Sequence, residues 1–162
     1  MKQFLLAKLL QELTSITIFS SFDRHSLVPH NLIHRTEPVK VWCHPGGSTY
    51  ITVALIHGDV PAQAFKFMLN AAMNRVINHL ALYGNGLIPS GVFIQPDQVG
   101  FFELYLANSN NHQQTWGVVG AALSALSNFM VDNDSFSTSN FKAGVTFTVF
   151  DGANEVGQGS VS

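Results

Sequence analysis

The chain's reactive inventory is seven histidines, one cysteine and ten carboxylates, and their spacing decides which chemistry is open to them. His30 and His34 stand four apart, a spacing that shares one face of a helix, but the flanking residues with Pro29 do not read as one. No HExxH occurs, and Cys43-His44 has no second cysteine motif to complete a zinc set, so no metal site is expected. A lone cysteine excludes an intramolecular disulfide. Neighbours on a strand point in opposite directions, so His44 cannot serve Cys43 as a base, and Cys43 reads as buried and inert.

Glu103 offers the sharpest enzymatic possibility. It stands between Phe102 and Leu104 on an apolar strand, and a partly buried carboxyl there would suit general-acid work. His57-Gly58-Asp59 would bring a base and an orienting carboxylate to the end of another strand. His79 lies near the apolar side of a helix. Glu103, His57 and His79 are therefore the catalytic candidates, acting without a cofactor. The plainer account makes Glu103 an exposed sheet residue and His79 a histidine at the core boundary. Phe101, Tyr105, His112, Gln113 and Trp116 are the ligand-binding candidates, grouped as an aromatic surface and a polar helix start.

The segment NSNNHQQTWGVVGAALSALSNFM, residues 108–130, first suggests a glycine-rich phosphate loop. Phosphate fingerprints put their glycines before or at the helix start, whereas Gly117 and Gly120 fall inside it. With Ala121, Ser124 and Ala125 they form a small-residue surface for close packing. Asn111 is the expected N-cap. Neither GxxxxGK[ST] nor GxGxxG occurs.

Charge narrows the partners. Charged residues make up 11% of the chain, against roughly 25% in a typical domain, and the net charge is -2. There is no basic footprint for nucleic acid and no polybasic membrane patch. No run reaches the length of a membrane-spanning helix. Asn133-Asp134-Ser135 matches the short glycosylation pattern.

Elements must position these groups, and hydrophobic period assigns them. Residues 1–38 read as an amphipathic helix, with Leu5, Leu6, Leu9 and Leu13 on one side, followed by a connector; the alternative is a targeting segment. Residues 39–162 read as a single domain. VKVWC and TYITVALIHG suggest a hairpin. A helix beginning at Gly58 or Asp59 runs to about Tyr83 and stops at Gly84-Asn85-Gly86. GVFIQ and GFFELYLA are strands joined by Pro96-Asp97-Gln98. A second helix covers residues 113–130. GVTFTVF and residues 155–161 form a last hairpin through Asp151-Gly152, the return strand weakened by Gly157 and Gly159.

The order is strand, strand, helix, twice over, then two strands. It predicts an α+β two-layer sandwich: a mostly antiparallel sheet with two long helices on one face, built from two similar ββα halves. The sheet's other face is left for a ligand or a second copy.

Three functional classes fit. The leading one is a non-enzymatic interaction or self-assembly domain, with a homodimer or a protein partner. The second is a small-molecule-binding protein or a cofactor-free isomerase, cyclase or hydrolase with an aromatic-lined pocket for an apolar molecule. The third is a small secreted effector-like protein. Enzyme and non-enzyme both remain open. A cytoplasmic location is favoured, and a secreted one follows if residues 1–21 act as a signal peptide.

Overall fold

The computed structural model describes residues 40–44, 46–132 and 142–162, all within the unit Glu37–Ser162. The expected N-terminal helix and connector, and the Asn133 glycosylation pattern, lie outside the described residues. The elements are β1 (Lys40–Cys43), β2 (Thr49–Pro61), α1 (Ala62–Tyr83), β3 (Val92–Pro96), β4 (Glu103–Asn108), α2 (Trp116–Asp132), β5 (Lys142–Asp151) and β6 (Asn154–Val161). They form an α+β sandwich. Its six-stranded sheet has the order β1-β2-β5-β6-β4-β3, with every described neighbour antiparallel. Each ββα unit places its hairpin on one flank, and the C-terminal hairpin fills the middle.

Two-residue alternation fixes which side of the sheet faces the helices. Ile51 and Val53 on β2, Val145, Phe147 and Val149 on β5, and Leu104 and Leu106 on β4 are buried against α1 and α2. Their alternates Thr52, Thr146, Thr148, Phe150, Glu103 and Tyr105 stand on the outer face. Cys43 shares that face and is exposed, not buried as expected. The reason is parity: Trp42 takes the inward position and packs edge-on against Phe129 of α2.

α1 buries Phe65, Met68, Leu69, Ala72 and Val76, one stripe of an amphipathic helix. Gly84 ends it at φ +80 and donates its amide to the Leu80 carbonyl. The helix starts at Ala62 rather than at Gly58 or Asp59, because β2 stays paired with β5 as far as Pro61, across a register shift. Pro61 thus serves as the N-cap, at φ -65. The β5–β6 turn does follow its sequence signal: Gly152 supplies the positive φ, +60, that a two-residue hairpin loop demands.

α2 starts at Trp116, three residues later than expected, and Asn111 is not its cap. Asn110 and Asn111 both adopt positive φ, 51 and 58, which no helix can continue. The cap is Thr115, whose hydroxyl accepts the Val118 amide at 3.3 Å. Gly120 does serve packing: a side chain there would press on Val76 of α1.

Gly157 and Gly159 look like strand weakeners in the sequence, yet each makes room for a buried group. The Phe147 ring lies over Gly159, its cross-strand partner. The Gln114 amide lies over Gly157 and donates to the Ala107 carbonyl at 2.9 Å. Gly157→Ala therefore destabilises the fold by about 1–3 kcal/mol through overpacking, read as a lower midpoint in urea unfolding. In the Gln114→Ala background the same substitution costs measurably less, since the amide it strikes is gone.

Candidate functional site

Exposed large apolar side chains stand at the end of α1, where Leu82 and Tyr83 are open, and at the β3–β4 hairpin, which carries Phe101, the most exposed of them. The register pairs Ile94 with Tyr105 and Pro96 with Glu103. Beyond that pair the loop is closed twice by Asp97: its amide donates to the Phe102 carbonyl at 2.8 Å, and its carboxylate accepts the Phe102 amide at 3.3 Å. Gly100, at φ +78, lets the chain reverse between them. Residues 98–101 are thereby held out as a tip, with Val99 71% and Phe101 81% exposed. Ile94 and Tyr105 continue the apolar surface along the strands, both partly open. Behind it β4 is anchored by β6, and the Glu103 and Ser162 backbones exchange hydrogen bonds of 3.0 and 3.3 Å. Isolated apolar residues on a surface need no explanation; here four share one closed hairpin, with the exposed Glu103 among them.

A second cluster occupies the helix side. Arg75, His79 and Tyr83 follow one another at four-residue spacing along α1. His79 stacks on Trp116, with ring centroids 3.8 Å apart and planes 13° apart, and Tyr83 tilts against it at 5.0 Å. The Arg75 guanidinium lies 4.8 Å from the Phe93 ring centre and 5.8 Å from that of Trp116. Its Nη1 donates to the Ile94 carbonyl at 2.7 Å. Trp116 is buried and meets Phe93 edge-on, so it belongs to the core. The cluster ties α1, α2 and β3 together.

The start of α2 was the other expected ligand position. Its first four amides all have acceptors inside the protein. Trp116 donates to the Gly86 carbonyl, Gly117 to Asn85 Oδ1 at 2.9 Å, Val118 to Thr115 Oγ1, and Val119 to the Thr115 carbonyl. The helix end thus holds no spare donor for an anion. His112 and Gln113 are exposed beside it, in a shallow concavity lined by residues 108–113.

These positions separate the catalytic candidates. Glu103 stands exposed on the outer face, whereas His79 belongs to α1 on the inner face, with the sheet between them. The backbone of His57 pairs with Ala143 in β2, and β2 is three strands from β4 in the sheet, roughly 14 Å. The structure does bring together Phe101, Glu103 and Tyr105 on one hairpin, and His79 with Trp116 on the helix side. It also supplies residues that the sequence reading missed: Val99, Ile94, Arg75 and Asn85. Arg75 had a usable signal, its four-residue spacing from His79. Asn85 had none beyond its place in a turn.

Among the described residues no three His, Cys, Asp or Glu side chains gather as a metal set, and no helix is long and apolar enough to cross a membrane. No protein family, curated protein or solved structure matches the chain.

The stacked cluster makes two expectations. His79→Ala loses the stacking partner of Trp116 and costs about 0.5–1.5 kcal/mol, visible as a lower urea midpoint and altered tryptophan fluorescence. Arg75→Lys keeps the charge but not the planar group that stacks and donates at once, so it recovers less than half of what Arg75→Ala loses in the same measurement.

Proposed function

We propose that this chain is a non-enzymatic interaction domain whose recognition surface is the outer stripe of the β3–β4 hairpin. The observation that carries the reading is the loop closed by Asp97, which holds Val99 and Phe101 in water with Ile94 and Tyr105 behind them. Keeping such side chains exposed forgoes roughly 1.5–3 kcal/mol of burial for each. A rigid hairpin that presents them loses little conformational entropy when a partner covers them. Aromatic side chains on a preorganised support are also the usual anchors of protein interfaces.

The catalytic alternative has less behind it. A cofactor-free acid–base site needs its groups within hydrogen-bond reach of one substrate. Glu103 and His79 belong to opposite layers, and the His79 ring is already stacked on Trp116.

Site-specific photo-crosslinking tests the reading. A benzoyl-phenylalanine placed at Phe101, in cells that make the chain, gives discrete adducts that the same group at Gln63 on α1 does not. Equal adduct patterns at the two positions would count against the hairpin. The double substitution Val99→Ser, Phe101→Ser removes the adducts of a crosslinker at Ile94. It changes stability by no more than about 0.5 kcal/mol, as expected for surface positions.

A further inference from the structure

The reading of the hairpin as an interaction surface leaves the chemistry of its partner open, and this inference rests on that reading. The stripe has a charge of one sign. Glu103 is exposed, on the outer face, and has no side-chain partner among the described residues. The Asp97 carboxylate is taken up by the Phe102 amide in the loop closure, so Glu103 is the open charge of the stripe. Of the cations whose side chains are described, none answers it on that face: Arg75 is engaged with Phe93, Trp116 and the Ile94 carbonyl, Lys66 lies on α1, and Lys40 lies on β1 at the opposite edge of the sheet. Two residues before Glu103 stands Phe101, and two residues after it stands Tyr105. A carboxylate with an exposed ring two residues before it, in the loop, and another two residues after it, on β4, suits one kind of group. A lysine or arginine side chain lays its apolar stem on the rings and its charge on the carboxylate, with a cation–π contribution from the ring faces.

We propose that the hairpin stripe binds a segment of a partner protein in which a lysine or arginine adjoins apolar residues, with the cation seated at Glu103 between Phe101 and Tyr105. A second copy of this chain fits less well. A two-fold interface centred on the cation seat sets Glu103 against its own copy, a like-charge contact that works against association. The same carboxylate repels nucleic acid and anionic lipid.

Panning a phage-displayed random dodecapeptide library on the full chain tests this. The proposal expects retained peptides to require Phe101, to be enriched in Lys or Arg next to aromatic or aliphatic residues, and to bind more weakly as salt rises. Glu103→Gln should weaken them at least about tenfold, and Glu103→Lys should abolish binding, while thermal midpoints stay at the wild-type value. Peptides that need Phe101 but show no basic enrichment, or that bind Glu103→Gln as tightly, overturn the cation site and leave the interaction reading standing. If no retained peptide is lost on Phe101→Ser or Val99→Ser, both fall. Phosphatidylcholine vesicles that bind the chain through Phe101, equally with and without the Glu103 charge, would overturn the peptide in favour of a lipid surface.

Discussion

α2 reaches from one edge of the sheet to the other, and it does so at close range. Its first residue, Trp116, meets Phe93 on β3, and near its end Phe129 meets Trp42 on β1. A helix of 17 residues is about 25 Å long, and six strands span about 24 Å, so the helix fits the width of the layer it covers. This fit requires small residues on the closest contacts. Gly120 lets Val76 of α1 approach, while Ala122 and Ala125 are fully buried. The glycines of β6 open the floor below for Phe147 and Gln114. Lengthening these contacts would lift α2 from the sheet and part the aromatic pairs at both ends together. The same helix start receives α1 through Asn85 and Gly86, so the second helix is placed by the turn that ends the first.

Burial on one side leaves the other side with a different composition. The inner positions of β2 and β5 are Ile, Val and Phe, and the outer ones are largely threonine, with a stacked Tyr50–Phe150 pair near one flank. Threonine favours strands and tolerates water, so it suits these outer positions. The apolar stripe of β3 and β4 stands apart from that hydroxyl-rich centre. It is carried by a hairpin whose inward residues, Phe93, Leu104 and Leu106, are core. One short motif therefore fastens the domain on one side and offers a surface on the other.

Much of this architecture was legible in the chain. Alternation in GFFELYLA and GVTFTVF assigned faces correctly, and helical spacing from Phe65 to Val76 found the buried stripe. Boundaries went astray where local signals competed with pairing. Asp59 and Pro61 resemble a helix start, but the partner strand holds that stretch extended. Asn111 resembles a cap, but its positive φ belongs to a turn. Gly157 and Gly159 resemble defects until the side chains that lie over them are known. In the candidate site, Phe101, Glu103 and Tyr105 emerged from their two-residue spacing. Val99 did not, because a loop's size depends on which residues close it. The stack of His79 on Trp116 joins distant parts of the chain, and nothing in a single sequence marks that pair.

The bond from Arg75 to Ile94 has a colloidal consequence. β3 is an edge strand, and an unoccupied edge is a template on which further strands can add. The guanidinium takes up one of its carbonyls, which is then no longer a free acceptor. Most proteins also keep copies apart by surface charge, but this chain has little to spare, with 11% charged residues and a net charge of -2. With so little charge on the surface, each edge acceptor of β3 held inside the fold, as Arg75 holds that of Ile94, is one fewer open to another chain.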